Sequence, residues 1–590
     1  MPISLQHLPQ SITTNAELAS IVERCSSGRL DGIEDELADL LRTCRDATSA
    51  RHLLAILKFV SGERNEALEE ISRLMNESEH DASLHNTLGH MFLDMEMPPE
   101  AEAAYRAALD IVPDDFEPLW SLGNLMQLVG RPQDAEQFYR DATVSHPANG
   151  LGHLSLGGLL LTCGRPEDAC ISLERAAELA PDDVDALNHL GIAQAACRHF
   201  IAAESAFRRA LAVKPDDPTA LHHMGRLMQR SGQTAKAENL LRRAMTMDSG
   251  NPRSGGSLAD LLTSDGRLDE AETLLTAMAQ RFPQDGMCRM QLGLLQLRRG
   301  AYAQGWMNFE GRQLTPALGH RLATQRLWNG EILDGKSLLV TSEGSIGDVI
   351  QFLRHLESPI RLGREVALAV PDPFVALLQT NRLGVKIVSE SSLLESFDYV
   401  TRIMSLPLFT GQLAPFWPLS GPYLTADPTL VKDWHHRLGS TSKRRIAIAV
   451  SDGGGIRPEF PLDLLRSITE LADVEFVCLA TGRTAADIAK SDAADRLRMI
   501  EDEVPTERFF EHAAAVVDLC DRVVATDGDI AHLAGALGKD AWIMLDPTGG
   551  WRWGDTSDRT PLYPSIRLFR EARASGWVAA VRAVSEALTA

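Results

Sequence analysis

At 590 residues the chain is too long for one hydrophobic core, so at least two domains are expected. With 44% apolar and 24% charged residues it has an ordinary globular composition. Its formal charge of −23 argues against nucleic acid or an anionic membrane as main partner, because both would repel it. The start, MPISLQHLPQSITTNAELAS, lacks a basic stretch followed by an apolar one, and no run reaches the roughly 18 apolar residues of a membrane span. The eight cysteines are scattered without a CxxC pair, which favours reduced thiols and a cytoplasmic location over a metal or disulfide framework.

In chain order, a helical N-terminal cap is expected over 1–47. Then Gly89, Gly123, Gly157, Gly191 and Gly225 recur every 34 residues, each followed twelve residues later by an alanine, Ala101 to Ala237. An aromatic or leucine comes four residues after that alanine: Tyr105, Tyr139, Leu173, Phe207 and Leu241. This is the tetratricopeptide pattern of paired antiparallel helices, with small residues where helices cross. Blurred flanking units extend the array to 48–312. Such arrays present a groove rather than chemistry. The first helix of each unit is expected to line it with Asn86, Trp120, Asn124, Leu154, Asn188 and His222 as acceptor-binding positions, a surface suited to an amphipathic peptide or helix. The alternative for Trp120 is that it packs between repeats.

After residue 312 the period ends. Following a linker over 313–335, β-branched runs alternate with helical stretches: SLLVTS, EVALAV, VKIVS, RRIAIAV, VEFVCLA, RVVATD and AWIML. The alternation predicts parallel α/β sheets in two Rossmann-like domains, 336–437 and 438–590, with a cleft at the carboxyl ends of the strands. Four stretches fall there. EGSIGD ends in Asp348, with Gly347 before it as a donor-binding position. VSDGGGIRP offers Ser451, Gly454 and Arg457 to a phosphate, or is an ordinary turn. VVATDGDIAHLAGALG places Asp527, then Gly528 for a tight turn, Asp529 as an N-cap, and His532 in the first turn of a helix suited to an anion. Asp527 and Asp529 also spell DxD, but a strand-end carboxylate and a cap explain both without a metal. GGWRWGDTSDRTPLYPSIRLFR puts Trp551 and Trp553 either in a sugar or base pocket or in the core.

Together these stretches resemble tetratricopeptide-linked glycosyltransferases related to the heptosyltransferase group. That family carries W-x-G, E-Q-G-x-G-D-x-I-Q-F, S-L-P…P-Y-L, D-T-x-x-x-H-L-A-G-A-L-G, W-R-W-G and W-Y-P-S-x-R-L-F-R. The chain has Trp328-Asn329-Gly330, the EGSIGDVIQF loop, Ser405-Leu406-Pro407 with Pro422-Tyr423-Leu424, Asp527 to Gly538, Trp551 to Gly554, and Tyr563-Pro564-Ser565 before Arg567 to Arg570. The resemblance covers about 305 to 590. It implies a two-domain GT-B fold that uses a nucleotide sugar without a metal or other cofactor, with Asp348 as general base.

The architecture is most similar to bacterial flagellin glycosyltransferases that transfer nonulosonic sugars, such as pseudaminic or legionaminic acid, to serine or threonine. That implies a cytidine monophosphate sugar as donor and flagellin as the acceptor protein held by the array. The donor half departs from the pattern: family threonine is Gly528, the tryptophan-glycine strand end is Val450-Ser451-Asp452, and the aspartate before W-R-W-G is Gly550. Two rivals stand beside this reading, a catalytically weakened tetratricopeptide scaffold and a lipopolysaccharide-type glycosyltransferase.

Overall fold

The computed structural model describes residues 47–314, 326–362, 365–392, 396–413, 421–450, 460–545, 550–554, 557–560, 562–570 and 577–589, with a few positions before 47. The expected cap over 1–47 therefore lies almost wholly outside the described residues, as do residues 315–325 of the linker expected over 313–335. The chain divides into two compact units, 1–227 and 228–590.

The first unit is a stack of helix pairs, beginning with Ala47–Val60 and Arg64–Glu77 and continuing through Val184–Ala196 and Phe200–Val213. Local sequence sets the boundaries. Asp81, Asp115, Asn149 and Asp183 each accept an amide two residues on, capping the first helix of their pair. Pro98, Pro132 and Pro166 start second helices, where a missing amide costs nothing. A Cβ on Gly89, Gly123 or Gly157 would lie 2.4 Å from Tyr105, Tyr139 or Leu173, so the recurring glycine is the socket for the recurring large residue.

The second unit contains further helix pairs, among them Arg253–Ser264 with Leu268–Arg281 and Gly286–Arg298 with Tyr302–Phe309, and two parallel sheets. The first sheet has the order β3-β2-β1-β4, with β1 Ser337–Thr341, β2 Glu365–Val370, β3 Lys386–Ser389 and β4 Tyr399–Arg402. The second has the order β10-β9-β8-β5-β6-β7, with β5 Arg444–Ala449, β6 Val474–Cys478, β7 Leu497–Met499, β8 Arg522–Thr526, β9 Ala541–Leu545 and β10 Ile566–Arg570. Seven of these strands coincide with the apolar runs. The short β4 and β7 and the edge strand β10, whose IRLFR alternates with arginines, carry too little apolar signal to stand out.

The last helix before the sheets is part of their core. Trp306 is fully buried, donates from Nε1 to the Leu413 carbonyl at 2.7 Å, and packs edge-on against Phe352 and Trp551 at 5.8 and 5.4 Å. Arg312 follows, with Nε and Nη2 on the Glu343 carboxylate at 3.0 and 2.7 Å, Nη1 on Glu310 at 2.5 Å, and Nη2 on Ser405 Oγ at 2.7 Å. Glu343 opens the loop that leads to Asp348. Removing one member of a buried, hydrogen-bonded pair costs about 3–5 kcal/mol, because the other charge is stranded. Arg312→Ala should therefore lower the melting temperature of the second unit in scanning calorimetry, and adding Glu343→Gln should recover part of the loss.

Candidate functional site

Two strand ends build the site. After β1, Gly344 turns the chain at φ +75°, a conformation that favours glycine. Helix Ile346–Phe352 then starts with a capping box: the Asp348 amide donates to Ser345 Oγ at 3.2 Å, and the Ser345 amide donates to Asp348 Oδ2 at 2.8 Å. After β8, Asp527 and Gly528 lead into helix Asp529–Ala536.

The two helices meet at Gly347. A Cβ there would lie 2.7 Å from His532 Cδ2 and 3.1 Å from Asp529 Oδ1, so only glycine allows the approach. The Gly347 amide donates to Asp529 Oδ1 at 2.7 Å. In the reverse direction Arg552 pairs with Asp348 Oδ1, donates from Nε to Gln351 Oε1 at 2.7 Å, and lies 4.7 Å from the centre of the Trp551 ring. Each domain thus lends a carboxylate to the other.

Between them lies a cavity of about 500 Å³. Its lining carries the charged side chains Asp348, Asp527, Asp529 and Arg552. It also carries the apolar Val450, Leu479 and Phe510 and the hydroxyls of Thr481 and Thr484. Burial raises the Asp529 carboxyl above the usual carboxylate range, and the Asp348 and Asp527 charges add to the shift against the Gly347 amide. Burial likewise pushes His532 down to about 4, so its ring is neutral at pH 7. Nδ1 of that ring lies 3.0 Å from the Tyr563 hydroxyl, and the ring stacks on Trp553 at 5.2 Å.

Several sequence expectations are corrected by this geometry. Gly347 does not offer its amide to a ligand, because Asp529 takes it. Gly528 needs no special freedom: its φ of −175° is extended backbone. Gly528, not Asp529, is the N-cap residue, and Asp529 caps the facing helix instead. His532 borders the cavity but is a buried neutral ring that can bring no positive charge to a phosphate. Trp553 is core, and Trp551 packs against Trp306 and Phe352. Asp348 and Asp527 do line the cavity. Ser451, Gly454 and Arg457 lie outside the described residues. Among those described, no group of three His, Cys, Asp or Glu side chains is placed to hold a metal ion.

In the array, Asn86, Trp120, Asn188 and His222 are buried rather than presented, while Asn124 and Leu154 are half-buried. Trp120 donates from Nε1 to Ser155 Oγ at 2.9 Å, and Asn188 donates from Nδ2 to Asp217 at 2.9 Å. Asn124 accepts the Tyr139 hydroxyl at 2.6 Å. These side chains join neighbouring helices. Sequence reasoning passed over Arg552, which sits inside W-R-W-G but was hidden by the tryptophans. It also passed over Thr481 and Phe510, although Thr481 follows the carboxyl end of a parallel strand, where ligands bind.

Tetratricopeptide-repeat family models match residues 129–184 and 228–295, and the repeat region is a tetratricopeptide array. Protein FlbA of Caulobacter vibrioides is 23% identical over 334 residues, covering 52% of this chain and 56% of that protein. Among solved structures, a tetratricopeptide repeat protein from Parabacteroides merdae is 18% identical, covering 40% of this chain and 94% of its own, with a TM-score of 0.36. Pseudomonas aeruginosa pilF is 21% identical, covering 35% and 94%, with a TM-score of 0.32.

Two measurements test this geometry. Trp120→Ala should destabilise the first unit by about 3–5 kcal/mol, the usual cost of emptying a large aromatic socket, read as earlier unfolding in urea. Asp529→Asn keeps the acceptor for Gly347 and removes the titration. A carboxyl whose pKa is raised by folding contributes stability at low pH and loses it as pH rises through the folded value. The variant should therefore melt above the wild type at neutral pH, with the gap closing as pH falls towards 3.8, the ordinary value. A gap that stays constant with pH contradicts the buried, raised carboxyl.

Proposed function

We propose that the second unit is a GT-B glycosyltransferase that binds a nucleotide sugar in this cavity and transfers the sugar to serine or threonine of a protein brought by the array. The observation that carries the reading is the cavity itself, opening at the carboxyl ends of strands from both parallel sheets, with an apolar wall for a base or sugar and Arg552 for a phosphate. Among the described lining residues there is one guanidinium, which matches a single phosphate better than two. A cytidine monophosphate sugar of the nonulosonic class fits that count, and flagellin is the acceptor implied by the architecture. Among the described residues no helix is long and apolar enough to cross a membrane. A cytoplasmic site of action is part of the proposal.

The step needs a base for the acceptor hydroxyl and stabilisation of the leaving phosphate. Asp348 is the base of this reading, and Arg552 is the group that holds it between turnovers. A donor phosphate competes for Arg552, and as the guanidinium turns to the phosphate, Asp348 Oδ1 is released to take the hydroxyl proton. The developing charge on the phosphate is met by Arg552 without a metal. A second reading is favoured by the same contact: if Arg552 never leaves Asp348, the protein is a scaffold that binds a nucleotide sugar and does not turn it over.

Mass spectrometry of flagellin co-expressed with and without the chain decides between them. Arg552→Met should weaken cytidine monophosphate binding about tenfold or more in calorimetry, the worth of one charge-assisted hydrogen bond. Asp348→Asn should bind the nucleotide but lose about 10²-fold or more in transfer. Nucleotide binding without any transfer by the wild type selects the scaffold. Absence of both removes the donor-site reading.

A further inference from the structure

The recurring alanine of each repeat is followed by glutamate at Glu102, Glu136, Glu204, Glu238 and Glu272, but by Cys170 in one repeat. Three of these glutamates strap neighbouring repeats together at one spacing: Glu102 meets Arg131 at 3.3 Å, Glu136 meets Arg165 at 2.8 Å, and Glu238 meets Arg267 at 2.6 Å. Where the glutamate becomes Cys170, the arginine position of this strap becomes His199. Cys170 has a different neighbour, the Cys197 sulfur, 3.9 Å away. The same two repeat positions recur three repeats on as Glu272 and Arg299, whose charged ends are 2.7 Å apart. The repeat geometry itself therefore aims these two side chains at each other.

We propose that Cys170 and Cys197 are an oxidation site that closes to a disulfide and replaces the ionic strap with a covalent one. A disulfide needs the sulfurs about 2 Å closer than they stand, which rotation of two side chains can supply. Both residues are partly exposed, so a small reagent reaches them. The co-reactant is a low-molecular-weight disulfide. A Cys197 thiolate attacks one of its sulfurs and expels a thiolate; Cys170, deprotonated, then attacks the Cys197 sulfur of the mixed disulfide and expels the second. The protein thiols lose two electrons and two protons, and the reagent is reduced to two thiols. Burial and the neighbouring thiol push the Cys170 pKa up, so closure should quicken with pH. The bond ties helix Pro166–Leu179 to the residue that ends helix Val184–Ala196, fixing the angle between two repeats and narrowing the unfolded ensemble.

The full chain, treated with oxidised glutathione at about pH 8 and mapped by mass spectrometry under non-reducing conditions, should contain a Cys170–Cys197 cross-link that dithiothreitol reverses. The oxidised first unit should melt higher, and Cys170→Ser and Cys197→Ser should each lose both effects while keeping the helical circular dichroism. Exposed Cys163 is the internal control. Its glutathionylation while Cys170 and Cys197 remain free thiols overturns the proposal, as does a cross-link to Cys163 instead. A correct cross-link with an unchanged melting temperature overturns the strap.

Discussion

The site depends on one close approach, that of helices Ile346–Phe352 and Asp529–Ala536 at Gly347. A methyl group there would push against His532 and Asp529, and the two strand ends that form the cavity would separate. The approach also explains the exchange of carboxylates. Helix N-termini carry partial positive charge and free amides, and two of them side by side need acceptors. Asp529 satisfies the facing helix through the Gly347 amide, while Asp348 satisfies its own through the capping box and then pairs with Arg552. His532 is neutral for the same reason: the contact that brings the helices together removes water from its ring.

A second constraint ties the end of the repeats to the sheets. Arg312 lies between Glu310 and Glu343, and Trp306 packs edge-on against Trp551, so the loop that carries Asp348 rests on the last helix Tyr302–Phe309 and the residues just after it. A buried guanidinium is tolerated only with its acceptors in place, and here five oxygens accept from it, three from carboxylates, one from Ser405 and one from the Phe309 carbonyl. Residues 302–314 therefore serve the first sheet as a wall.

The repeats were legible in the sequence because their packing rule is periodic: a glycine socket and a large side chain keep one spacing, and the pair is visible without knowing the fold. Six strands were legible because their runs are largely apolar and buried, as expected of strands covered on both faces, while the half-buried β3 stood out through its β-branched residues. What failed was direction. Place on the first helix points Asn86, Asn188 and His222 to the groove and leaves Trp120 open between groove and repeat packing, yet all four are buried, with Trp120 and Asn188 bonded to neighbouring helices. Position along a helix is set by sequence, but whether a side chain reaches the groove or the next repeat depends on the angle between repeats. Asp529 shows the same limit. Spacing from β8 placed it at a helix start, and only the helix from the other sheet reveals that its carboxylate serves that partner.

Charge fixes what the cavity can accept. Asp348, Asp527 and Asp529 stand against Arg552 in the described lining, so an anionic ligand meets an unfavourable field unless it claims the guanidinium. On the proposed reading, a donor phosphate that takes Arg552 breaks the Asp348 pair, and the exchange leaves the Asp348 carboxylate with an oxygen open to the cavity. Burial has already pushed the Asp529 carboxyl towards its neutral form, which lowers the repulsion that the incoming phosphate feels. On the proposed reading, the donor must therefore bind before the base is available, and an acceptor arriving first finds Asp348 occupied.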